Sequence, residues 1–256
     1  MTYKDYLNIA INQSAIDLSC EPEHLLNGKE TVVISKASSK ASAFLDLPSP
    51  LSILSFGSGI VASCCEELRD IAQDYISTRS WYECFSHSDL ICLEQKLRPL
   101  GYCVKYEAVR FLPDPGLIPE LSCKYEIRRL EQKDFADLYR EEWSNALCEK
   151  RKNLDIIGFG AYDSGKLAAL AGCSADCENM YQIGIDVLPE YRRNGIASCL
   201  TSRLAKAVID VGKVPFYSAV WSNLPSVRNA FRCGFKPAWV AIDCKRTAKT
   251  LNETEV

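Results

Sequence analysis

Residues 181–200 read YQIGIDVLPEYRRNGIASCL, and this is the most informative part of the sequence. Its β-branched residues predict a strand, and a glycine-bearing turn then leads into the start of a helix. The first turn of a helix directs unpaired backbone N–H groups and the positive end of the helix dipole outward. Arg192 and Arg193 add positive charge, and Gly195 has no Cβ to keep a ligand away from the backbone. The stretch therefore predicts an anion site suited to a pyrophosphate.

A second informative stretch, residues 222–235, reads SNLPSVRNAFRCGF. It follows a predicted strand over 214–221. Asn223 is placed to cap a helix, and Pro225 suits the first helical turn. The predicted helix runs to Cys233 and closes on a Gly-Phe pair at 234–235.

Together the two stretches resemble the GNAT N-acetyltransferase superfamily over about residues 125–245. The acyl-CoA signature of that family is Gln or Arg, two residues, Gly, one residue, then Gly or Ala. Arg192, Gly195 and Ala197 fill it here. The order and separation of the signature and of the Asn-to-Gly-Phe helix also match the family.

The resemblance implies an α/β fold with a mixed, largely antiparallel sheet and helices on both faces. It also implies transfer of an acetyl group from acetyl-CoA, the co-substrate, to a primary amine that attacks the thioester directly, without a metal. In the family the signature strand splays from its neighbour, and a freed backbone N–H polarises the thioester carbonyl. By position this is Val187. The implied coenzyme-binding residues are Val187, Arg192, Arg193, Asn194, Gly195, Ile196, Ala197, Asn223 and Ser226. For Asn223, capping the helix without touching the coenzyme is an equally weighted reading.

The acid–base residues of the family are less easily placed. A Glu near the start of the signature strand often accepts the amine proton, but Tyr181 and Gln182 stand there. Asp186 is the nearest acid on the strand and is the candidate base. Other carboxylates that could reach the acceptor, Asp176, Glu141 and Glu142, are expected to be solvated charges.

A second departure concerns the Tyr that often protonates the leaving thiolate. Its place holds Ala230, with Phe231 beside it expected against the core, and Ser222 and Tyr217 are the nearby hydroxyls. These departures keep two alternatives open, a non-catalytic acyl-CoA sensor or interaction module and a purely structural domain.

Composition fits a soluble cytoplasmic enzyme. The formal charge is -3 and the pI is about 5.6, so a broad basic surface for nucleic acid is not expected. No apolar run approaches the length that crosses a bilayer, and no signal peptide is evident at residue 1. The partner is expected to be a small-molecule or peptide amine, and the oligomeric state is left open.

The thirteen scattered cysteines indicate reduced thiols, mostly inert core residues. Cys64 and Cys65 are expected on a helix. Cys173 and Cys177 have the spacing of half a metal site, but no second pair exists and the chain has only two histidines. No metal is expected.

Three prolines and a glycine in residues 112–122 mark a boundary. The sequence predicts a smaller α/β N-terminal domain at 1–112, a linker at 113–124, the acetyltransferase domain at 125–246 and a polar tail at 247–256. In the first domain, residues 1–30 are expected to be helical with a break at Pro22, 31–35 and 51–56 to be strands, and 57–59 to turn into a helix ending near Ile76.

In the second domain, strands are predicted at 125–129, 156–162, 166–174, 180–187, 214–221 and 235–243. Helical spacing occupies 132–150, 195–211 and 225–233. Asp163-Ser164-Gly165 suits a hairpin.

An internal echo suggests that the N-terminal half is a degenerate copy of the same lobe. Gly59 parallels Gly195, and each glycine is predicted to precede a long helix, a strand, a helix and a Gly-aromatic pair. His87 would stand where Asn223 stands, and Phe56 where Arg192 stands. Chance similarity of two strand-glycine-helix units explains the echo equally well.

Overall fold

The computed structural model describes residues 1–247 and divides the chain into two compact units. The first unit consists of Met1–Ala10 and Val109–Ala238, and the second of Ile11–Ala108 together with the chain from Trp239. The predicted domains were contiguous, whereas each of these units takes segments from both halves of the chain. Except for Thr247, the predicted polar tail lies outside the described residues.

The described residues contain five α-helices and ten strands. The helices are α1 (Tyr3–Leu18), α2 (Arg69–Ser77), α3 (His87–Leu97), α4 (Ile196–Asp210) and α5 (Leu224–Arg232). The strands are β1 (Glu30–Ile34), β2 (Leu51–Ser55), β3 (Ile60–Cys64), β4 (Tyr102–Pro113), β5 (Glu126–Glu131), β6 (Asp155–Asp163), β7 (Lys166–Ser174), β8 (Met180–Val187), β9 (Val214–Ala219) and β10 (Phe235–Arg246).

In the first unit the strand order is β4-β9-β8-β7-β6-β5. Only β8 and β9 are parallel, and the other neighbours with a defined register are antiparallel. In the second unit the order is β1-β3-β2-β10, with β1 and β3 parallel. The predicted class, a mixed α/β fold with a largely antiparallel sheet, is confirmed.

Helix α4 carries the main apolar contact of the first unit. Ile196, Leu200, Leu204 and Val208 recur at helical spacing and are buried against the sheet, chiefly β6 to β8. Burying each such side chain contributes about 1.5–3 kcal/mol. The helix ends before Gly212, which has a φ of +76°.

The predicted helix over 132–150 is wrong. Short 3-10 turns occupy 132–154, and this segment lies directly on the sheet face opposite α4. A Cβ on Gly184 would be 1.7 Å from Asn145 O, and one on Gly172 would be 2.2 Å from Ala146 O. A regular helix with side chains is too wide to approach a strand so closely.

The predicted helix after 57–59 is also wrong over its first half. Gly57, at φ +94°, instead turns β2 into β3, an antiparallel partner that is buried throughout. Tertiary burial of the run Ile60-Val61-Ala62 favours the strand over the helix. Cys64 therefore lies on a strand, with Cys65 just after it, and the helix begins only at Arg69.

This correction removes the first half of the internal echo, because Gly59 precedes a strand and Gly195 precedes a helix. Phe56, the proposed counterpart of Arg192, stacks on Trp239 with ring centroids 5.3 Å apart. The second half of the echo remains: α3 leads to Gly101-Tyr102 as α5 leads to Gly234-Phe235, and both glycines have positive φ. Duplication stays a hypothesis.

Candidate functional site

The centre of the candidate site is the point where β8 and β9 diverge. Their parallel pairing runs from Met180–Val214 to Ile183–Tyr217 and stops there. Beyond it β8 continues to Val187 paired only with β7, and β9 continues beside β4. The divergence leaves a gap between the carboxyl ends of β8 and β9.

The backbone of Val187 points into this gap. Leu188 N donates to Ala168 O on β7 at 3.0 Å, and successive N–H groups of a strand point to opposite edges. The N–H of Val187 is therefore directed away from β7. Its carbonyl points away from β7 as well and accepts from Arg192 Nε at 3.1 Å.

The loop between β8 and α4 contains two residues in the left-handed region. Arg193 and Gly195 both have positive φ, +64° and +75°. Asn194 Nδ2 donates to the carbonyls of Tyr191 and Arg192 at 3.1 and 3.2 Å, which holds the loop in this form. The side chains of Arg192, Arg193 and Asn194 are exposed.

The first turn of α4 is free to receive an acceptor from outside the chain. Gly195 is its N-cap and provides no side-chain acceptor, and the turn contains no acidic residue. A Cβ on Gly195 would meet nothing within 4 Å, so there is open space beside Gly195 at the start of the helix. Uncapped N–H groups, open space and two arginines fit a pyrophosphate.

Asn223 caps α5, which is one of the two roles that the sequence left open for this residue. Its Oδ1 accepts from Ser226 N at 3.4 Å. Asn223 itself is exposed and the Ser226 side chain is half-buried. A contact of either residue with a coenzyme stays a prediction.

Asp186, the candidate base, is held by three donors. Its carboxylate accepts from Asn145 N and Ala146 N at 2.9 Å each and from Asn145 Nδ2 at 2.7 Å. Val187, Ile185 and Ile183 pack towards α4, so Asp186 lies on the opposite sheet face. On that face Asp186 anchors the backbone at Asn145 and Ala146, which passes directly over Gly184.

The same face carries a buried charged cluster that sequence reasoning missed. Asp155, Ser174 and Gln182 occupy one row across β6, β7 and β8. Asp155 is 1% exposed; it accepts from Cys148 N at 2.8 Å, and burial raises its pKa to about 6. No motif marks Asp155, which simply precedes an apolar run.

Asp176 belongs to this cluster, and the expectation that it is a solvated charge is wrong. Its side chain is fully buried, and its Oδ1 lies 2.8 Å from Arg151 Nε. Burial raises the pKa of Asp176, and Arg151 and Ser174 oppose that shift. Glu141 and Glu142 are exposed, as expected.

The positions of the expected general acid carry no phenol. Ala230 is fully buried, and Phe231, expected against the core, is 48% exposed and has its ring 5.9 Å from that of the buried core residue Phe111. Tyr217, at the last β8–β9 pair, is buried, and burial raises its pKa.

Within residues 1–247 no three His, Cys, Asp or Glu side chains converge as metal ligands do. All thirteen cysteines are free thiols. No helix in the described part of the chain has the length and apolar character needed to cross a membrane.

Comparisons with known proteins agree on one family. A family model described as GNAT acetyltransferase matches residues 92–238, more than half of the chain. No curated protein matches.

Among solved structures, a GCN5-related N-acetyltransferase from Kribbella flavida is similar over 96% of this chain and 97% of its own, with 14% identity and a TM-score of 0.50. A GCN5-related N-acetyltransferase-like protein from Streptococcus suis is 21% identical over 62% of this chain and 67% of its own, with a TM-score of 0.45. An acetyltransferase from the GNAT family of Colwellia psychrerythraea is 18% identical over 59% and 61%, with a TM-score of 0.44.

Proposed function

The chain belongs to the GNAT acetyltransferase family, and we propose that it transfers an acetyl group from acetyl-CoA to a primary amine. The observation that carries the proposal is the gap between β8 and β9, with the Val187 N–H directed into it. The glycine-bearing loop and uncapped α4 follow directly from the same strand.

Coenzyme binding follows from the loop and the first turn of α4. The pyrophosphate lies on the N–H groups of Ile196 and Ala197, with Gly195 leaving room and Arg192 and Arg193 adding charge. The Asn194 side chain holds the loop backbone in place. The pantetheine arm then enters the gap past Asn223 and Ser226.

The reaction is a direct attack. The amine lone pair forms a bond to the thioester carbonyl carbon, and the developing oxyanion accepts a hydrogen bond from Val187 N–H. The C–S bond then breaks, its electron pair goes to sulfur, and the amine proton passes to water. Loss of one preorganised donor to an oxyanion costs about 3–4 kcal/mol in other acyl-transfer sites.

The role of Asp186 is the least direct part of this scheme. Its three donors support an anchoring role for the 144–147 segment, which covers the face of β8 beside the gap. A free amine needs no enzymic base once it arrives deprotonated. Anchoring is therefore the role that we propose for Asp186, and its assignment as the base stays a prediction from the sequence alone.

The acceptor proposed is a small-molecule or peptide amine, met in the cytoplasm. Gln182, where the family often has Glu, is an amide on the face opposite α4. Since an amide does not repel a carboxylate, the site is open to amines that carry an acidic group as well as to simple cations.

Calorimetry with acetyl-CoA, followed by a panel of amines with products identified by mass spectrometry, tests the proposal. An enzyme binds the coenzyme and yields an acetylated amine with an equal amount of CoA. Binding without turnover across the panel would favour the sensor alternative, which the missing Glu and Tyr support. Absence of binding would refute both.

A further inference from the structure

The first unit contains a buried arginine at the edge of the gap between β8 and β9. Arg110, on β4, is 5% exposed, and its Nη1 donates to Ser218 Oγ on β9. The two residues are paired directly across the strands. Ser218 follows Tyr217, which is the last residue of β9 that pairs with β8. The hydrogen bond therefore brings the guanidinium to the residue at which β9 separates from β8.

Arg110 and Ser218 lie on the sheet face opposite α4. Their sequence neighbours Phe111 and Tyr217 pack in the core cluster that contains α4. Because successive side chains of a strand point to opposite faces, Arg110 and Ser218 point away from that helix. Asp186 of β8 lies on the same face as they do. Since the coenzyme loop leads into α4, the acceptor is left with the face that carries Arg110.

The chemistry of a buried guanidinium indicates what it binds. Phe111 and Leu112, which follow Arg110 on β4, are fully buried. A cation is costly to bury beside such residues, and its attraction for an anion is stronger there than in water. The five N–H donors of an arginine let it keep its protein partners and also bind a carboxylate through two parallel hydrogen bonds. Arg110 is therefore suited to an acidic group on the acceptor.

The position of the reacting carbonyl sets the length of that acceptor. Continued in register, the β8–β9 pairing would place Gly184 opposite Ser218, and Val187 follows three residues later. Three residues of strand span about 10 Å, and a contact of about 3 Å at each end leaves about 4 Å between amine and carboxylate. An α-amino acid is too short for this span. An amine at the far end of a short carbon chain, or the N-terminus of a dipeptide, is long enough.

We propose that the acceptor is an amine that also carries a carboxylate, and that Arg110 binds this carboxylate at the edge of the gap. The inference rests on the proposed function and deepens it. Arg110 is then a binding residue that sets specificity, and Ser218 is a positioning residue that holds its guanidinium. The amine lies at the Val187 end, where the negative charge of Asp186 attracts it on entry. The carboxylate takes no part in the acetyl transfer itself.

The test compares amines that differ only in a carboxylate or the corresponding amide: γ-aminobutyrate with γ-aminobutyramide, and glycylglycine with glycylglycinamide. Mass spectrometry quantifies the acetylated products, and the result is the ratio of kcat/KM for the acid to that for the amide. The wild type should favour the acid by about 10- to 100-fold, as expected for hydrogen bonds to a charged group. Arg110→Gln should bring the ratio close to one. Arg110→Lys, which keeps the charge without the fork, should give an intermediate ratio.

Arg128→Gln is the matched control. Arg128 is also a strand arginine of the first unit, but it is exposed, pairs with Glu126 and lies on β5 at the other end of the strand order. Its substitution should leave the ratio unchanged. Because a loss of stability in Arg110→Gln lowers both rates together, the ratio separates binding from folding. If that variant does not fold, the ratios of the wild type and of Arg110→Lys still test the inference.

A wild-type ratio of one or less, or a ratio that the Arg110 substitutions leave unchanged, would overturn the inference and leave the proposed function standing. Acetylation confined to amines without a carboxylate would overturn it in the same way. A wild-type protein that acetylates no amine at all would overturn the proposed function as well.

Discussion

Gly195 offers a substitution pair that separates charge at the anion loop from strain in the backbone. Gly195 has a φ of +75°, and a Cβ there meets no atom within 4 Å. Gly195→Gln and Gly195→Glu are nearly isosteric, so both incur the same left-handed strain of about 1–2 kcal/mol and no clash. Both should therefore lower Tm by about 2–8 °C, and the Glu variant should lose no more than the Gln variant, because its carboxylate lies at the positive end of the helix dipole.

Only the Glu variant brings a negative charge to the first turn of α4. At about 5 Å from a phosphate, with an effective dielectric constant of about 20, the repulsion is about 3 kcal/mol. That energy corresponds to about two orders of magnitude in Kd. We expect acetyl-CoA to bind the Glu variant about 100-fold more weakly than the Gln variant, with Arg192 and Arg193 reducing the difference to no less than about tenfold.

Isothermal calorimetry at low and high salt measures this difference, which should shrink as salt screens the charges. Equal Kd values for the two variants, both folded at the temperature of the measurement, would show that the pyrophosphate does not lie at Gly195.

Three further predictions concern the face opposite α4. Asp186→Ala should lower Tm in thermal unfolding by removing the acceptor of Asn145 and Ala146; a collapse of kcat at unchanged Tm would instead make Asp186 the base. Gly184→Ala should destabilise the fold by more than the roughly 1–3 kcal/mol of ordinary overpacking, because its Cβ would meet backbone, whereas Gly116→Ala, with its nearest atom at 3.8 Å, should be neutral in urea unfolding. Because burial raises the pKa of Asp155 to about 6, above its unfolded value, the wild type should lose about 1 kcal/mol of stability between about pH 5 and pH 7.5. The free energy of unfolding of Asp155→Asn, measured with urea at the two pH values, should not fall in this way. An equal fall in the variant and the wild type would contradict the raised pKa of Asp155.

The predictions from the sequence were correct where a short stretch determines its own conformation. Residues 181–200 combine a β-branched strand, a glycine turn and a helix with buried positions at regular spacing, and each appears as expected. The Asn223 cap and the closing Gly234 are equally local. These features depend on backbone geometry that a few neighbouring residues determine.

The predictions from the sequence were wrong where contacts between residues distant in sequence determine the structure. Residues 132–150 have helical spacing, but Asp186 binds the backbone at Asn145 and Ala146, and Gly172 and Gly184 admit the chain too closely for a helix. Those partners are far away in sequence. The buried ion pair of Arg151 and Asp176 was missed for the same reason, since neither residue belongs to a motif.

The two long strands β4 and β10 each contain residues of both units, and this limits where the chain can be truncated. β4 begins in the second unit and ends in the first, and β10 does the reverse. A protein truncated after Ala238 would keep residues 92–238, the region that the family model matches. It would lose the part of β10 that pairs with β2 from Ser52 to Ser55. The bare edge of β2 would then invite pairing between molecules. Neither half of the chain is therefore expected to fold by itself in a fusion protein or a domain exchange.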